Sequence, residues 1–155
     1  MAIKIGPDFK WRNPFGLLST ADKPAAASRL IVHEAVHDAF VERLVAAARA
    51  PKVGHALDQG TQIGPVVSEG QLQQNLDYIR IGQEEGAELL YGGDRLERAT
   101  PGHYMAPAVL AGTRNDMRIN REEMFAPITC VIRAGSYDEA LAIANDSAFG
   151  LTAGI

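Results

Sequence analysis

The chain has 155 residues, a length that fits one ordinary domain with a real core and is cramped for two. Fifteen Lys and Arg against nineteen Asp and Glu leave a net charge of −4, so no basic field exists to condense on nucleic acid or an anionic membrane surface, and neither is expected as a partner. Hydrophobic residues at 46% and charged residues at 22% match a globular protein, no apolar run approaches the roughly 18 residues of a membrane helix, and MAIKIGPDFKWRNP lacks the features of a secretory signal, so a cytoplasmic location is expected.

Residues 1–18 stay unassigned as an amino-terminal arm, because Gly6-Pro7 and Asn13-Pro14 break any periodicity and Trp11 stands alone among polar neighbours. Ser28 to His33, SRLIVH, is a short β-branched run of the buried-strand type. The following EAVHDAFVERLVAAARA carries Val36, Phe40, Val41, Leu44, Val45 and Ala48 at helical spacing. Pro51 and Gly54 end that helix, and KVGHALDQGTQIGPVVS reads as a long loop. Ser68 with Gln71 three residues on forms a capping box that opens a second helix, with Leu72, Leu76 and Ile79 as its buried stripe and Gly86 as its left-handed exit.

ELLYGG is a short strand closed by a Gly92-Gly93 turn, and HYMAPAVLAG a further strand segment in which Pro107 marks an edge, a bulge or the residue before the strand. RNDMRINREEMFAP reads as polar loop and PITCVIRA as the clearest strand. Ser136 and Glu139 make a second capping box before DEALAIAND, and FGLTAGI is strand-like. Strands alternating with helices predict an α/β fold, a mostly parallel sheet flanked by helices. Ligand sites on such sheets lie at the carboxyl ends of strands, which directs attention to the loops after SRLIVH and before PITCVIRA.

His33-Glu34-Ala35-Val36-His37 satisfies H-E-x-x-H, the spacing at which two imidazoles one helical turn apart hold zinc while the glutamate acts as base. Against a zinc hydrolase, His33 ends a strand rather than sitting mid-helix, no third ligand follows, and His55 and His103 lie in loops. The expectation is two surface histidines near a helix start and no metal. Cys130, the single cysteine, allows no internal disulfide and sits inside an apolar strand where no sequence neighbour lowers a thiol pKa, so it reads as a core residue. Glu122 and Glu123 precede Met124-Phe125-Ala126-Pro127; a carboxylate that accepts two sugar hydroxyls beside an aromatic ring suits a nucleotide ribose. On spacing alone, two solvated acids and one core Phe is the favoured reading. No G-x-G-x-x-G or G-x-x-x-x-G-K phosphate cradle occurs.

Taken in order, STADKPAAASRLIVHEAVHDAFVERL, KVGHALDQGTQIGPVVSEGQLQQNLDYI, GHYMAPAVL, NREEMFAPITCVIR and EALAIANDSAFGL resemble the catalytic half of an NAD(P)-dependent aldehyde dehydrogenase, over about residues 19–155. The flavour is most similar to bacterial 2,5-dioxovalerate (α-ketoglutaric semialdehyde) dehydrogenases. The resemblance implies a reaction in which a cysteine thiolate attacks an aldehyde, hydride passes to the nicotinamide, and a glutamate-activated water releases a carboxylic acid from a thioester. It also implies that Glu123 and Phe125 of EEMFAP contact the nicotinamide ribose, and that the parent enzyme is a homo-oligomer. Ala126 departs from the usual glycine of that motif, and its methyl is expected to crowd the turn.

The larger departure is Pro24, which falls where the family's nucleophilic cysteine stands. Proline offers no thiol, and it lacks the backbone N–H used with an Asn to stabilise the oxyanion. Ser19 and Thr20 are nearby hydroxyls with no base to activate them. The resemblance places the cofactor domain outside these residues. The chain therefore reads as a truncated or excerpted catalytic-domain fragment, inactive alone, with NAD or NADP belonging to the full-length family and neither expected to be bound by this piece. The rival readings are a non-catalytic module that self-associates or docks a partner, and the zinc hydrolase of HEAVH.

Overall fold

The computed structural model describes residues 28–150. The extended arm, Ser19, Thr20, Pro24 and most of FGLTAGI lie outside the described residues. Four strands form the main sheet in the order β1-β6-β5-β2: β1 (Arg29–His33), β2 (Glu88–Tyr91), β5 (Ala108–Thr113) and β6 (Ile128–Ala134). β1 and β5 both run parallel to β6, and only β2, at the edge, is antiparallel to its neighbour β5. A two-stranded antiparallel ribbon, β3 (Arg95–Leu96) with β4 (Tyr104–Met105), stands beside it. The mostly parallel α/β reading therefore holds, and the buried run Leu30, Ile31, Val32 shows why: a strand covered on both faces has no polar alternation to make.

Helix α1 (Glu34–Arg49) covers one face. His37, Phe40, Leu44 and Ala48 fall on one stripe at steps of three and four, and Phe40 and Leu44 pack with Leu30, Val32, Val109 and Val131. Full burial of each such large apolar side chain contributes about 1.5–3 kcal/mol. The opposite face carries α2 (Glu69–Glu84) over Leu110, Ile128 and Cys130, and α4 (Tyr137–Asn145) over Ile31 and Ile132. Alternation along β6 decides this, since Val131 faces α1 while Cys130 and Ile132 face the other layer.

Both capping boxes form their first half only. Ser68 Oγ accepts from the Gln71 amide at 3.1 Å, but the Gln71 side chain turns to Asn75 instead of reaching back. Ser136 Oγ accepts from the Glu139 amide, while the Glu139 carboxylate accepts from Gly135 N–H at 2.7 Å. Gly86 exits α2 with φ +101°, as expected. Gly92 is required for a second reason: a Cβ there would sit 1.9 Å from the Pro107 carbonyl oxygen. Pro107 itself precedes β5, the one of the three expected positions compatible with a central strand.

The segment read as polar loop, RNDMRINREEMFAP, holds a short helix α3 (Arg118–Arg121). Met117 and Ile119 insert into the core beneath α2, and that burial overrides a local sequence rich in charge.

Candidate functional site

Because β1, β5 and β6 are parallel, the two loops singled out by the sequence lie at opposite ends of the sheet. The loop before β6 sits at the amino edge, where Ser28 leads into β1 and its carbonyl accepts from the Cys130 amide at 2.8 Å. The turn from β1 into α1 sits at the carboxyl edge, a strand's length of about 15 Å away. The expectation that both loops would share a carboxyl-edge site is corrected by this geometry.

Residues 122–127 cross the amino edge outside any helix or strand. Met124 and Ala126 turn inward onto the core beneath α2, whereas Glu123 and Phe125 are exposed, Phe125 to 40%. Glu123 and Phe125, two positions apart, are thus both exposed while Met124 and Ala126 face the core. Phe125 is accordingly no core residue, against the reading favoured on spacing alone. The Ala126 methyl, expected to crowd the turn, instead packs against the core.

The two acids differ. Glu122 is held at its ends: Tyr78 donates its hydroxyl at 2.6 Å, and Arg118, one helical turn earlier, donates from Nε at 2.9 Å and from a terminal nitrogen at 3.1 Å. The Arg118 guanidinium first, then the Tyr78 hydroxyl, hold the Glu122 carboxyl below the usual carboxylate range, while the same bond to Glu122 pushes the Tyr78 phenol up. Glu123 makes no hydrogen bond or ion pair among the described residues, so both its oxygens are free to accept. Asn75, fully buried on α2, donates from Nδ2 to the Phe125 carbonyl at 3.2 Å. The sequence reading missed Asn75; a polar residue one step from the Leu72–Leu76–Ile79 stripe was the available signal.

The remaining candidates serve structure. Cys130 is fully buried in β6, and burial pushes its thiol up to about 12. His33 Nδ1 accepts from the Ala35 amide at 3.2 Å and so caps α1. His37 is buried rather than a second surface histidine, with Nδ1 2.8 Å from Asp38 and 2.8 Å from Arg133. The helical stripe carries it inward beside Phe40, which corrects the sequence reading. No cluster of three or more metal-ligating side chains occurs among the described residues. An open depression of about 960 Å³ lies at the carboxyl edge, between His37 and Glu42 of α1, Arg114, Arg133 and Glu139. Its charges are of mixed sign and it is remote from Glu123 and Phe125. No helix among the described residues is long and apolar enough to cross a membrane.

The amino edge thus brings a free carboxylate and an exposed aromatic ring together on a loop tied to the core. Comparison with known proteins carries this further. Residues 17–155 match the model of the aldehyde dehydrogenase family, and the chain belongs to that family. It is 40% identical over 139 residues to the alpha-ketoglutaric semialdehyde dehydrogenase of Bacillus subtilis, which covers 88% of this chain and 28% of the relative. Among solved structures, an aldehyde dehydrogenase from Bacillus cereus superposes with a TM-score of 0.83 at 33% identity, covering 89% of this chain and 28% of that one. A betaine aldehyde dehydrogenase from Staphylococcus aureus, in complex with NAD+, gives 0.81 at 31% identity, covering 85% and 27%. The chain thus spans a little over a quarter of the length of the relatives it matches. Membership of this family leaves the metallohydrolase and the free-standing docking module without support.

Proposed function

We propose that these residues supply the nicotinamide-ribose contact of an NAD(P)-linked aldehyde dehydrogenase, with Glu123 accepting the ribose hydroxyls and the Phe125 ring packing on the sugar or ring face. The observation that carries this is the contrast within EEMFAP: Glu122 is consumed by Tyr78 and Arg118, while Glu123 stands unpartnered beside an exposed ring. A carboxylate with both oxygens free fits a vicinal diol, and an aromatic face fits a flat or puckered ring. The chemistry that NAD or NADP supplies when bound is acceptance of hydride. The parent reaction is oxidation of an aldehyde to a carboxylic acid, and similarity to the Bacillus subtilis relative favours a dicarboxylic semialdehyde as substrate.

The 155-residue chain by itself is inactive in this reading. Pro24 brings neither thiol nor backbone N–H to the family's nucleophile position, and the buried Cys130 has no route to a substrate. Glu123 and Phe125 reach one end of a dinucleotide, so the affinity expected from these two residues alone is weak, about 1 mM or weaker.

The test mixes the purified chain with NAD or NADP and a panel of aldehydes, including dicarboxylic semialdehydes, and follows reduced cofactor by absorbance. No turnover is expected, either from the native chain or from Pro24→Cys; turnover by either one overturns the account of inactivity. Separately, titration with NADH at millimolar concentration should shift the NMR signals of Glu123 and Phe125 and leave those of α1 in place. Signals of residues 122–127 that do not move overturn the cofactor contact.

A further inference from the structure

The geometry points to Asn75 as the positioning residue that fixes the backbone of the Glu122–Ala126 segment and thereby sets how far Glu123 and Phe125 project. The inference rests on the proposed role of those two residues. Between the Glu122 amide, which donates to the Arg118 carbonyl at 3.0 Å, and the Pro127 carbonyl, which accepts from Ala108 at 2.8 Å, residues 123–126 form no main-chain hydrogen bond among the described residues. A stretch without such bonds is free to slide or rotate unless something else holds it.

Met124 and Ala126 pack against the core from this stretch, and the hydrogen bond that fixes its backbone comes from Asn75. The side chain is fully buried, and each of its polar atoms is assigned: Nδ2 donates to the Phe125 carbonyl at 3.2 Å and lies 3.5 Å from Met105 Sδ, and Oδ1 accepts from Gln71 Nε2 at 2.8 Å. A carbonyl only accepts, so the Asn75 amide group must face Phe125, and Gln71 then fixes the other end of the side chain. Gln71 is free for this because it leaves the capping box unfinished. Tyr78, one turn along the same helix, holds Glu122. Helix α2 therefore grips the segment at two points spaced three residues apart, and the unpaired Glu123 lies between them. A leucine-like core residue at position 75 would fill the space without gripping the backbone; burying a polar amide there is costly unless it bonds, and here it bonds to the loop.

The test uses the 155-residue chain and backbone 15N order parameters, with the amides of β6 as internal reference. Asn75→Asp keeps the acceptor for Gln71 and loses the donor to Phe125; Asn75→Leu keeps the bulk and loses both. Expected is a fall in the order parameters of residues 123–126 from about 0.85 to below about 0.6 in both variants, with β6 unchanged. Unchanged order, a uniform loss across the chain, a fall in Asn75→Asp alone, or a segment already mobile in the native chain overturns the inference. Should neither variant fold, the scalar coupling across the hydrogen bond from Asn75 Nδ2 to the Phe125 carbonyl carbon in the native chain decides, and its absence overturns the inference. The NADH titration separates the two claims. Ordered residues 123–126 whose signals ignore NADH leave the Asn75 anchor standing and remove the cofactor contact. If NADH moves those signals, both variants should weaken the response about tenfold.

Discussion

The two edges of the sheet each carry a motif that invites a chemical reading, and they resolve in opposite ways. At the carboxyl edge, HEAVH has the spacing of a zinc site, yet His33 Nδ1 is taken by the α1 cap and His37 Nδ1 lies against Asp38 and Arg133. At the amino edge, EEMFAP has no spacing that excludes a bland reading, yet its second glutamate and its phenylalanine stand exposed on a backbone tied down by Asn75. A reactive group needs free atoms on a held backbone. Each histidine has its Nδ1 engaged, His37 Nε2 is buried without a partner, and no third ligand joins the pair among the described residues, whereas Glu123 keeps its oxygens because Glu122 takes the local cation.

Between the two edges runs β6, and the largest effect expected is on its cysteine. Burial pushes the Cys130 thiol up to about 12 and leaves it with no exposed surface, so at neutral pH it is un-ionised and out of reach of a reagent until β6 opens. A disulfide reagent should modify the native chain only as fast as the chain opens, and the urea-unfolded chain at the ordinary rate. Fast modification of folded protein would mean that the sheet is not sealed between its edges. Next in size, Glu123→Gln should weaken the NADH-induced shifts about tenfold or more, since hydrogen bonds to a charged group contribute about 1.5–3 kcal/mol. Because Glu123 is exposed and unpaired, the same change should leave thermal stability within about 0.5 kcal/mol of native.

His33→Ala at the other edge should cost about 1 kcal/mol through loss of the α1 cap, read as a shift in the urea midpoint. Added zinc should make no difference to that shift; stabilisation of the native chain by zinc that the variant lacks would restore the metal reading.

The smallest effect is at Glu122. Its pKa is depressed below the ordinary value of 4.5 by Arg118 and Tyr78, so the stability it contributes is present above that value and is lost as pH falls through the folded-state pKa. The half-exposed setting limits this to about 0.2–1 kcal/mol. Glu122→Gln should therefore flatten the acid limb of the stability profile slightly. A variant whose acid limb matches the native chain would show that the Arg118 and Tyr78 bonds contribute nothing to folding.

Most of the regular elements are legible in the amino-acid sequence alone. Local chemistry determines β1, α1, α2, β6 and α4, because a β-branched run, a stripe at steps of three and four, a Ser cap and a left-handed glycine each act within a few residues. It also marks Glu123 and Phe125, through the order of motifs that resembles one family, and it discounts Cys130. Helix α3 is not legible in this way, since Met117 and Ile119 owe their burial to the underside of α2. Nor is the placement of the two candidate loops at opposite edges, which depends on β1 and β6 being parallel neighbours about a hundred residues apart in sequence. Asn75 shows the division most clearly. Its position beside an apolar stripe is a property of the sequence, but its partner, the Phe125 carbonyl 50 residues away, exists only once the sheet has brought the loop beneath α2. Which glutamate is consumed and which stays free is likewise decided by tertiary contacts, because Tyr78 reaches Glu122 across 44 residues of chain and local spacing cannot encode that meeting.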